Sequence, residues 1–331
     1  MRGLLIVCAL LAATCAGAAA QTGVPVDRDW DPAARDFGRG GGDGASSLAP
    51  PPGVQGSVGS ITGIDRELAR RDLPAKDRAW LLLFRGFLNA ATGNRAQADR
   101  DYQQALRTDP QLKFDLLAAR ALDMARSGAT QPAVDLVERA LSAQPGYPAL
   151  LRARAEIRMM QGEYARALPD LDQTAPGSDA ARRLRAQAHF GAGNHAAALD
   201  DLDHLLRSGA QATAPIHLAL WRYANNVKLR RDARGQLAAD LRTHGEPARW
   251  PAPVARYLSG RMTLGELELA AESDADARRT GGRCLASFFI AMETLRQGNR
   301  ARAGEQMRLA QARCPAGSLV NWAATAELRR L

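Results

Sequence analysis

Small and apolar side chains recur along this chain in a fixed order between a glycine and a proline. The first set is Gly93, Ala98, Tyr102, Ala105 and Pro110. Glycine ends one helix, small alanines let the returning helix pack closely, and proline ends the unit because it cannot continue a helix. The same order recurs at Gly128, Ala133, Val137, Ala140 and Pro145, and at Gly298, Ala303, Met307, Ala310 and Pro315. The pattern predicts a tandem array of antiparallel helical hairpins.

The spacing of the hairpin glycines indicates the number of repeats. Weaker copies of the pattern surround Gly162 and Gly193, so that successive glycines lie 35, 34 and 31 residues apart. A gap of 105 residues then separates Gly193 from Gly298, which three periods of 35 residues would fill.

This gap predicts further helical hairpin rather than a different fold. We expect a degenerate repeat over residues 214–245 and connecting helices over residues 252–280. Gly260 and the pair Gly281-Gly282 are equally compatible with loops in the same region.

The best unit, residues 79–112, reads AWLLLFRGFLNAATGNRAQADRDYQQALRTDPQL. Its small, aromatic and proline positions resemble the tetratricopeptide repeat (TPR) consensus. The resemblance implies an all-α fold, a TPR α-solenoid of antiparallel helix hairpins. We expect hairpins 1–4 with an N-terminal helix in residues 61–213, and a degenerate repeat with connecting helices in residues 214–283. A C-terminal TPR with a capping helix would complete the chain in residues 284–331.

The N-terminus carries an export signal. Met1-Arg2 precedes an apolar stretch that is followed by small residues at A-x-A spacing up to Ala20. This order is typical of a secretory signal peptide, which we assign to residues 1–20. Residues 21–60 are rich in glycine and proline and predict a disordered leader. The chain is therefore expected in the bacterial periplasm.

Cys15 leaves a lipoprotein open as the alternative. Signal cleavage before this cysteine would give a lipidated N-terminus and attach the protein to a membrane. Thr14 stands where lipoprotein processing prefers a small glycine, alanine or serine. A soluble exported chain is the interpretation we favour.

Export leaves Cys284 and Cys314 as the thiols of the mature chain. They occupy positions 1 and 31 of the last repeat, and in an antiparallel hairpin the start of the first helix lies beside the end of the second. In an oxidising compartment this geometry predicts a disulfide. Two buried free thiols are the alternative.

The chain is basic, with a formal net charge of +9 and a pI near 10.0. An intracellular protein of this pI would suggest nucleic acid. An exported one meets acidic protein, anionic lipid headgroups and cell-wall polymer instead. We therefore expect an acidic, envelope-associated protein or peptide partner and no nucleic acid. A GC-rich genome is an alternative source of the many arginines.

The sequence offers little for catalysis. The five histidines show no compact metal-ligand spacing; they are His189, His195, His204, His217 and His244. No nucleophile elbow, phosphate loop or dinucleotide fingerprint occurs. We expect no catalytic residue, no cofactor and no metal, and a protein that is not an enzyme.

Charged residues recur at two positions of the repeat. Position 7 is arginine in four units, at Arg85, Arg120, Arg154 and Arg185, and position 23 is aspartate in three, at Asp101, Asp170 and Asp201. The second unit has Leu136 at position 23, with Asp135 alongside. We interpret these residues as arginine-carboxylate pairs that brace the two helices of a hairpin. Arginines that reach a ligand are the alternative.

A partner-binding face is expected on the first helices of successive hairpins. In TPR proteins, positions 2, 5, 9, 12 and 13 of these helices line that face. Here they include Trp80, Leu83, Phe87, Arg126, Arg152, Met159, Arg183 and Phe190. The face would be apolar near the first hairpin and basic further along, which suits an extended acidic segment with apolar anchors. Alternatively, an N-terminal helix from residues 61–72 covers Trp80 and Phe87.

The second half resembles the new lipoprotein I family. The resemblance rests on a tryptophan-led segment at Trp250-Pro251, a YLSG turn ending at Gly260, and the pair Phe288-Phe289. It implies a lipid-anchored periplasmic TPR adaptor that docks cell-wall hydrolases and a processing protease. We therefore expect a non-enzymatic periplasmic scaffold. A TPR subunit of a secretion, pilus or polysaccharide-export machine is the alternative.

Overall fold

The computed structural model describes residues 60–209, 215–274, 277, 281–314 and 318–331. The predicted signal peptide and nearly all of the predicted leader, residues 1–59, lie outside the described residues. Within the described ranges the chain forms sixteen α-helices and no β-strand. They are α1 (Ile61–Leu68), α2 (Ala75–Ala91), α3 (Arg95–Thr108), α4 (Lys113–Arg126), α5 (Thr130–Ala143), α6 (Pro148–Met160), α7 (Tyr164–Thr174), α8 (Asp179–Ala192), α9 (His195–Ser208), α10 (Pro215–Lys228), α11 (Ala233–His244), α12 (Ala252–Leu258), α13 (Leu264–Ser273), α14 (Gly282–Arg296), α15 (Arg300–Arg313) and α16 (Leu319–Leu328).

The helices pair in sequence as antiparallel hairpins. Hairpins 1–4 are α2/α3, α4/α5, α6/α7 and α8/α9, hairpin 5 is α10/α11, and hairpin 6 is α14/α15. The short helices α12 and α13 lie between hairpins 5 and 6. A hairpin thus occupies the segment where the sequence predicts a degenerate repeat. We call hairpins 1–4 with α1 the N-terminal array, and the described residues from 215 onward the C-terminal body.

Left-handed backbone closes each hairpin turn. Glycine supplies it in hairpins 1–4 and 6, with φ between 77° and 94°, because it carries no Cβ to clash. Hairpin 5 uses Arg230 at φ 55°, the only described non-glycine residue with positive φ. This substitution explains why the fifth repeat is hard to recognise from its glycines.

The consensus glycine of the first helix makes room for the consensus aromatic of the second. A Cβ on Gly86 would lie 2.5 Å from the ring of Tyr102, closer than any real side-chain contact. Ala98 and Ala105 flank that ring and are fully buried. The repeat pattern therefore records direct contacts between the two helices of a hairpin.

The predicted arginine-carboxylate pairs are present in hairpins 1, 3 and 4. In each, the guanidinium donates two hydrogen bonds to the aspartate, with shortest N–O distances of 2.6 to 2.7 Å. The pairs are Arg85 with Asp101, Arg154 with Asp170, and Arg185 with Asp201. All three aspartates are buried, so each charge is compensated by its partner.

Hairpin 2 departs from this prediction. Arg120 is largely exposed and lies 3.7 Å from Asp99, which belongs to hairpin 1. Asp135 accepts a hydrogen bond from Gln131 instead. The prediction of a brace within this hairpin is wrong, because Leu136 leaves no buried carboxylate for Arg120 to reach.

Two of these arginines also connect neighbouring units. Arg85 reaches Asp65 of α1 at 2.7 Å, and Arg185 reaches Asp172 of hairpin 3 at 3.0 Å. Each arginine therefore bridges the second helix of its own hairpin and the helix that precedes its hairpin. Helix α1 thus supplies the carboxylate for the first hairpin, as the second helix of the preceding hairpin does for hairpin 4.

Hairpin 5 has the same bridge, which sequence reasoning missed. Arg222 pairs with Asp240 of its own hairpin at 2.5 Å and with Asp203 of hairpin 4 at 2.8 Å. Its partner lies 18 residues ahead instead of 16. The longer turn around Arg230 shifts the register and hides the pair from a fixed spacing.

The C-terminal body is organised around one buried helix. Residues 282–294 of α14 are buried apart from Arg283, and helices α10, α12, α13, α15 and α16 contact this helix. The predicted disulfide joins Cys284 at its start to Cys314 at the end of α15, with Cα atoms 4.7 Å apart. A helix that is apolar on most sides needs neighbours all round, so this half is a closed core.

Candidate partner-binding face

The structure buries most of the face on which the sequence places a partner. Seven of the eight predicted residues have exposed fractions between 1% and 7%. They are Trp80, Leu83, Phe87, Arg152, Met159, Arg183 and Phe190. Arg126, the eighth, lies in the last turn of α4 with its side chain partly exposed. The chain itself covers this face in the described conformation, and a binding role for these residues stays a prediction.

Helix α1 covers the beginning of the face. Trp80 packs in one cluster with Ile64, Leu73 and Phe84, and its ring stacks on Phe84 at 5.2 Å between centroids. This is the alternative that the sequence leaves open for Trp80. Phe87 instead joins the core of hairpins 1–3. Helix α1 thus covers Trp80, whereas Phe87 lies against Arg126 of α4.

A charged cluster occupies the middle of the face. The Arg126 guanidinium lies 4.6 Å from the Phe87 ring centroid, a cation-π distance, and 3.9 Å from Glu156. Burial lowers the pKa of Arg152, whereas the charges of Glu156 and Asp115 raise it. The predicted basic character is therefore offset by acidic side chains of the same face.

Tyr147 helps to hold this cluster. Its hydroxyl donates to the buried Asp115 carboxylate at 2.6 Å. Burial and this hydrogen bond raise the pKa of Tyr147. The tyrosine therefore stays protonated and keeps donating to the carboxylate throughout the physiological pH range.

An aromatic cluster closes the far end of the face. Phe190 of α8 makes edge contacts with Trp221 at 5.4 Å, with Phe288 at 6.2 Å and with the His195 ring at 5.2 Å. Burial lowers the pKa of His195, whose Nδ1 lies 3.1 Å from the Asn225 amide oxygen. Because Trp221 and Phe288 belong to the C-terminal body, the later chain seals hairpin 4.

Helix α16 lies against hairpins 3 and 4. Trp322 and Ala326 pack with Tyr164, Leu184 and Ala188. We call the surface of hairpins 3 and 4 that contacts α16 the trough; it consists of Met159, Tyr164, Leu171, Leu184 and Ala188. Its occupation by α16 explains the burial of Met159, which sequence reasoning treated as open. The pattern of a single repeat carries no signal for a contact between residues 158 positions apart.

Polar contacts fix α16 in this position. The Tyr164 hydroxyl donates to the Trp322 carbonyl at 2.9 Å. Lys228 pairs with Glu327, which is fully buried. Arg330 donates to the carbonyls of the last turn of α8 and to Glu327.

Exposed arginines gather where the first helices end. Arg230 and Arg231 lie in the turn of hairpin 5, and Arg300 and Arg302 in the first turn of α15. Arg300 donates to the last carbonyls of the chain, and a Cβ on Gly162 would meet the Arg329 guanidinium at 3.0 Å. We call this surface the basic turn edge, consisting of Arg230, Arg231, Arg300, Arg302 and Arg329.

The sequence analysis did not predict the buried carboxylates of the C-terminal body. Glu293 is 1% exposed and accepts hydrogen bonds from Tyr223, Arg234, Arg296 and Gln297. Burial alone would raise its pKa, but these donors and the arginine charges lower it to about 2. The sequence signal for this site was an acidic residue, Glu293, inside the otherwise apolar run CLASFFIAMETL.

The described part of the chain has no cluster of three or more His, Cys, Asp or Glu side chains that could hold a metal ion. Its helices are also each too short or too polar to cross a membrane.

Comparison with known proteins gives a limited result. No family model matches the chain, and no curated protein matches it. Among solved structures, a tetratricopeptide repeat protein from Parabacteroides merdae ATCC 43184 is 16% identical, with a TM-score of 0.41. The match covers 81% of this chain and 91% of that one.

The fold assignment rests on the hairpins themselves. Glycine turns recur in hairpins 1–4 and 6, and arginine-carboxylate pairs recur in hairpins 1, 3, 4 and 5. The resemblance to the new lipoprotein I family stays a prediction. The described chain is an α-solenoid of TPR-type hairpins, an architecture typical of protein-interaction scaffolds.

Proposed function

We propose that this protein is a non-enzymatic scaffold of the bacterial periplasm that binds protein or peptide partners. The array of hairpins carries the proposal, because side-by-side helices present extended surfaces rather than a single catalytic pocket. Cell-wall hydrolases are the partner class implied by the resemblance of the second half. An adaptor role would bring such enzymes together at sites of envelope growth.

Two observations support export. The N-terminus has the charged, apolar and small-residue order of a signal peptide. The Cys284–Cys314 disulfide is suited to an oxidising compartment, where such bonds persist. N-terminal sequencing of the mature protein should show a chain that begins soon after Ala18 or Ala20. A mature chain that begins at a lipidated Cys15 would make it a membrane-attached protein instead.

The basic turn edge supports an acidic partner. Its arginines are exposed in the turns of hairpins 5 and 6 and beside α16, so they can attract carboxylates at long range. The charged cluster around Arg152, in contrast, already contains its own carboxylates. We therefore place the electrostatic part of partner recognition on the turn edge.

A charge-reversal pair tests this proposal. Partners are first captured from envelope extract and identified by mass spectrometry, and the affinity of the purified partner is then measured at several salt concentrations. Arg231→Glu with Arg302→Glu should weaken binding about tenfold at low salt and flatten its salt dependence. Arg107→Glu with Arg139→Glu is the matched control, since both arginines are exposed on second helices and the change in net charge is the same.

The comparison of the two double variants decides the outcome. Equal binding by both would place the interface away from the turn edge. Capture of secretion, pilus or polysaccharide-export components in place of hydrolases would favour the alternative scaffold role. Failure to capture any partner that survives washing at physiological salt would contradict the scaffold proposal itself.

A further inference from the structure

The trough of hairpins 3 and 4 is a complete apolar site with one occupant. Met159 and Leu171 are buried, and Tyr164, Leu184 and Ala188 belong with them to one apolar cluster that also contains Trp322 and Ala326. All five residues of the trough belong to the N-terminal array, whereas Trp322 and Ala326 belong to the occupant, α16. The residues that form the site are therefore distant in sequence from the helix that fills it.

Helix α16 has two faces that serve different neighbours. Val320, Ala323 and Ala324 pack into the core of the C-terminal body, whereas Trp322 and Ala326 fill the trough. The helix is attached to α15 through the chain and through its side chains, including Gln311 with Thr325. Contact with the trough is thus a second attachment, made by a helix that already has a place in the body.

Polar groups beside the trough contact both the backbone and one acidic side chain of α16. The Tyr164 hydroxyl donates to a backbone carbonyl, which any helix offers near its exposed side. Lys228 supplies a cation to a carboxylate one residue beyond the small side chain at position 326. Both donors belong to hairpins 3 and 5, and both acceptors belong to α16.

We propose that the trough is a binding site for an amphipathic helix of a partner protein and that α16 is its built-in competitor. The partner helix carries a large aromatic residue, a small residue four positions later and a carboxylate at the fifth position, as Trp322, Ala326 and Glu327 do. This proposal rests on the scaffold function and specifies one of its sites. Anchors at helical spacing in an apolar groove are a common mode of peptide recognition.

The competition has a quantitative consequence. A tethered segment is present at its site at an effective concentration near the millimolar range. A partner helix therefore binds with its intrinsic affinity reduced by the fraction of molecules in which the trough is open. Changes in α16 that leave the trough intact should tighten binding of a helix added in trans.

The test uses the full chain and a synthetic probe. The probe is a fluorescent peptide with the sequence of residues 318–331, SLVNWAATAELRRL, and its binding is measured by anisotropy. Trp322→Ala in the full chain should bind the probe at least about tenfold more tightly than the wild type. Leu309→Ala is the control, because this side chain is exposed on α15 away from the trough, and it should bind like the wild type.

A milder variant guards against loss of folding. Arg330→Ala removes the hydrogen bonds from the end of α16 to the last turn of α8 and changes no trough residue. It should tighten probe binding severalfold. Adding Ala188→Arg to Trp322→Ala should abolish the gain, because the new side chain fills the trough. A probe that carries alanine in place of its tryptophan should bind every variant more weakly.

Several outcomes would overturn the proposal. One is that Trp322→Ala and Arg330→Ala, both shown to be folded by circular dichroism, bind the probe no better than the wild type. A wild-type dimer that Trp322→Ala dissociates would make a second copy the occupant. Because the probe needs no natural partner, failure here leaves the scaffold function standing. Conversely, failure to capture a partner leaves the probe result unaffected.

Discussion

The two halves of this molecule use the same helical hairpin in different ways. In the N-terminal array each hairpin packs on the next, and a buried aspartate with its arginine braces most of them. In the C-terminal body the helices surround α14, and buried carboxylates receive donors from distant parts of the chain. Nearest-neighbour packing allows local changes to stay local, whereas a central helix makes every neighbour depend on the others. The array should tolerate damage in one hairpin better than the body tolerates damage at α14.

Loss of the disulfide should reveal the largest difference in stability between the two halves. It closes a loop with a sequence separation of 30, and replacing both cysteines with serine should destabilise the body by about 3 to 4 kcal/mol. Calorimetry should show a large downward shift of the transition to which the body contributes. Reduction of the wild-type protein is the matched control and should reproduce that shift. An unchanged melting profile would show that α14 is held without the bond.

Glu293 should give the next largest effect. Glu293→Gln weakens the contacts to Tyr223 and Arg234, which tie α14 to hairpin 5, and should cost about 2 to 3 kcal/mol. The pKa of this carboxyl falls from 4.5 to about 2 on folding, so its stabilising contribution is complete above pH 4.5. That contribution is lost as the pH falls from 4.5 towards 2.

The pH dependence supplies a check within one protein. Denaturant midpoints of the wild type should fall between pH 4.5 and pH 2 more steeply than those of Glu293→Gln. Glu268→Gln, at an exposed position on α13, is the control and should keep the slope of the wild type. Parallel curves for the wild type and Glu293→Gln would contradict the lowered pKa.

A buried aspartate of the array should matter less than Glu293. Asp101 accepts hydrogen bonds from Arg85, Asn89 and Gln97, and Asp101→Ala should cost about 1 to 3 kcal/mol because a partly buried arginine loses its partner. Asp99→Ala, two residues away and exposed, should change thermal stability by less than about 0.5 kcal/mol. If both variants melt alike, the brace is not a source of stability. Nearest-neighbour packing further predicts that hydrogen exchange in hairpin 4 is unaffected.

The turn of hairpin 5 should give the smallest effect, in the stabilising direction. Arg230 holds φ at 55°, where a Cβ is strained, so Arg230→Gly should raise stability by about 0.5 to 1 kcal/mol. Gly298→Ala makes the reverse change in hairpin 6 and should lower the melting temperature. Equal and opposite shifts would show that the backbone conformation at this position accounts for both effects. A loss of stability in Arg230→Gly would point to a contact made by the arginine itself.

The sequence predicts the array better than the body for a physical reason. Gly86, Ala98 and Tyr102 lie together within one hairpin, so their spacing is visible in a single repeat. Glu293 and Tyr223 lie 70 residues apart, and no local pattern records their contact. The partner-binding face was predicted as open because TPR positions describe one hairpin at a time. Its covering by α1, α14 and α16 follows from where the chain goes afterwards.

The contact between α16 and hairpins 3 and 4 also limits how this protein can evolve. Open solenoids lengthen by duplicating a repeat, since a new unit only needs to match its two neighbours. Here the residues between Tyr164 and Trp322 form a closed circuit, because those two residues meet at 2.9 Å. One additional hairpin inside the circuit would move α16 by about the 10 Å that separates packed helices, and the circuit would no longer close. Only a duplication of the hairpins that precede Tyr164 would therefore preserve the contact between Tyr164 and Trp322.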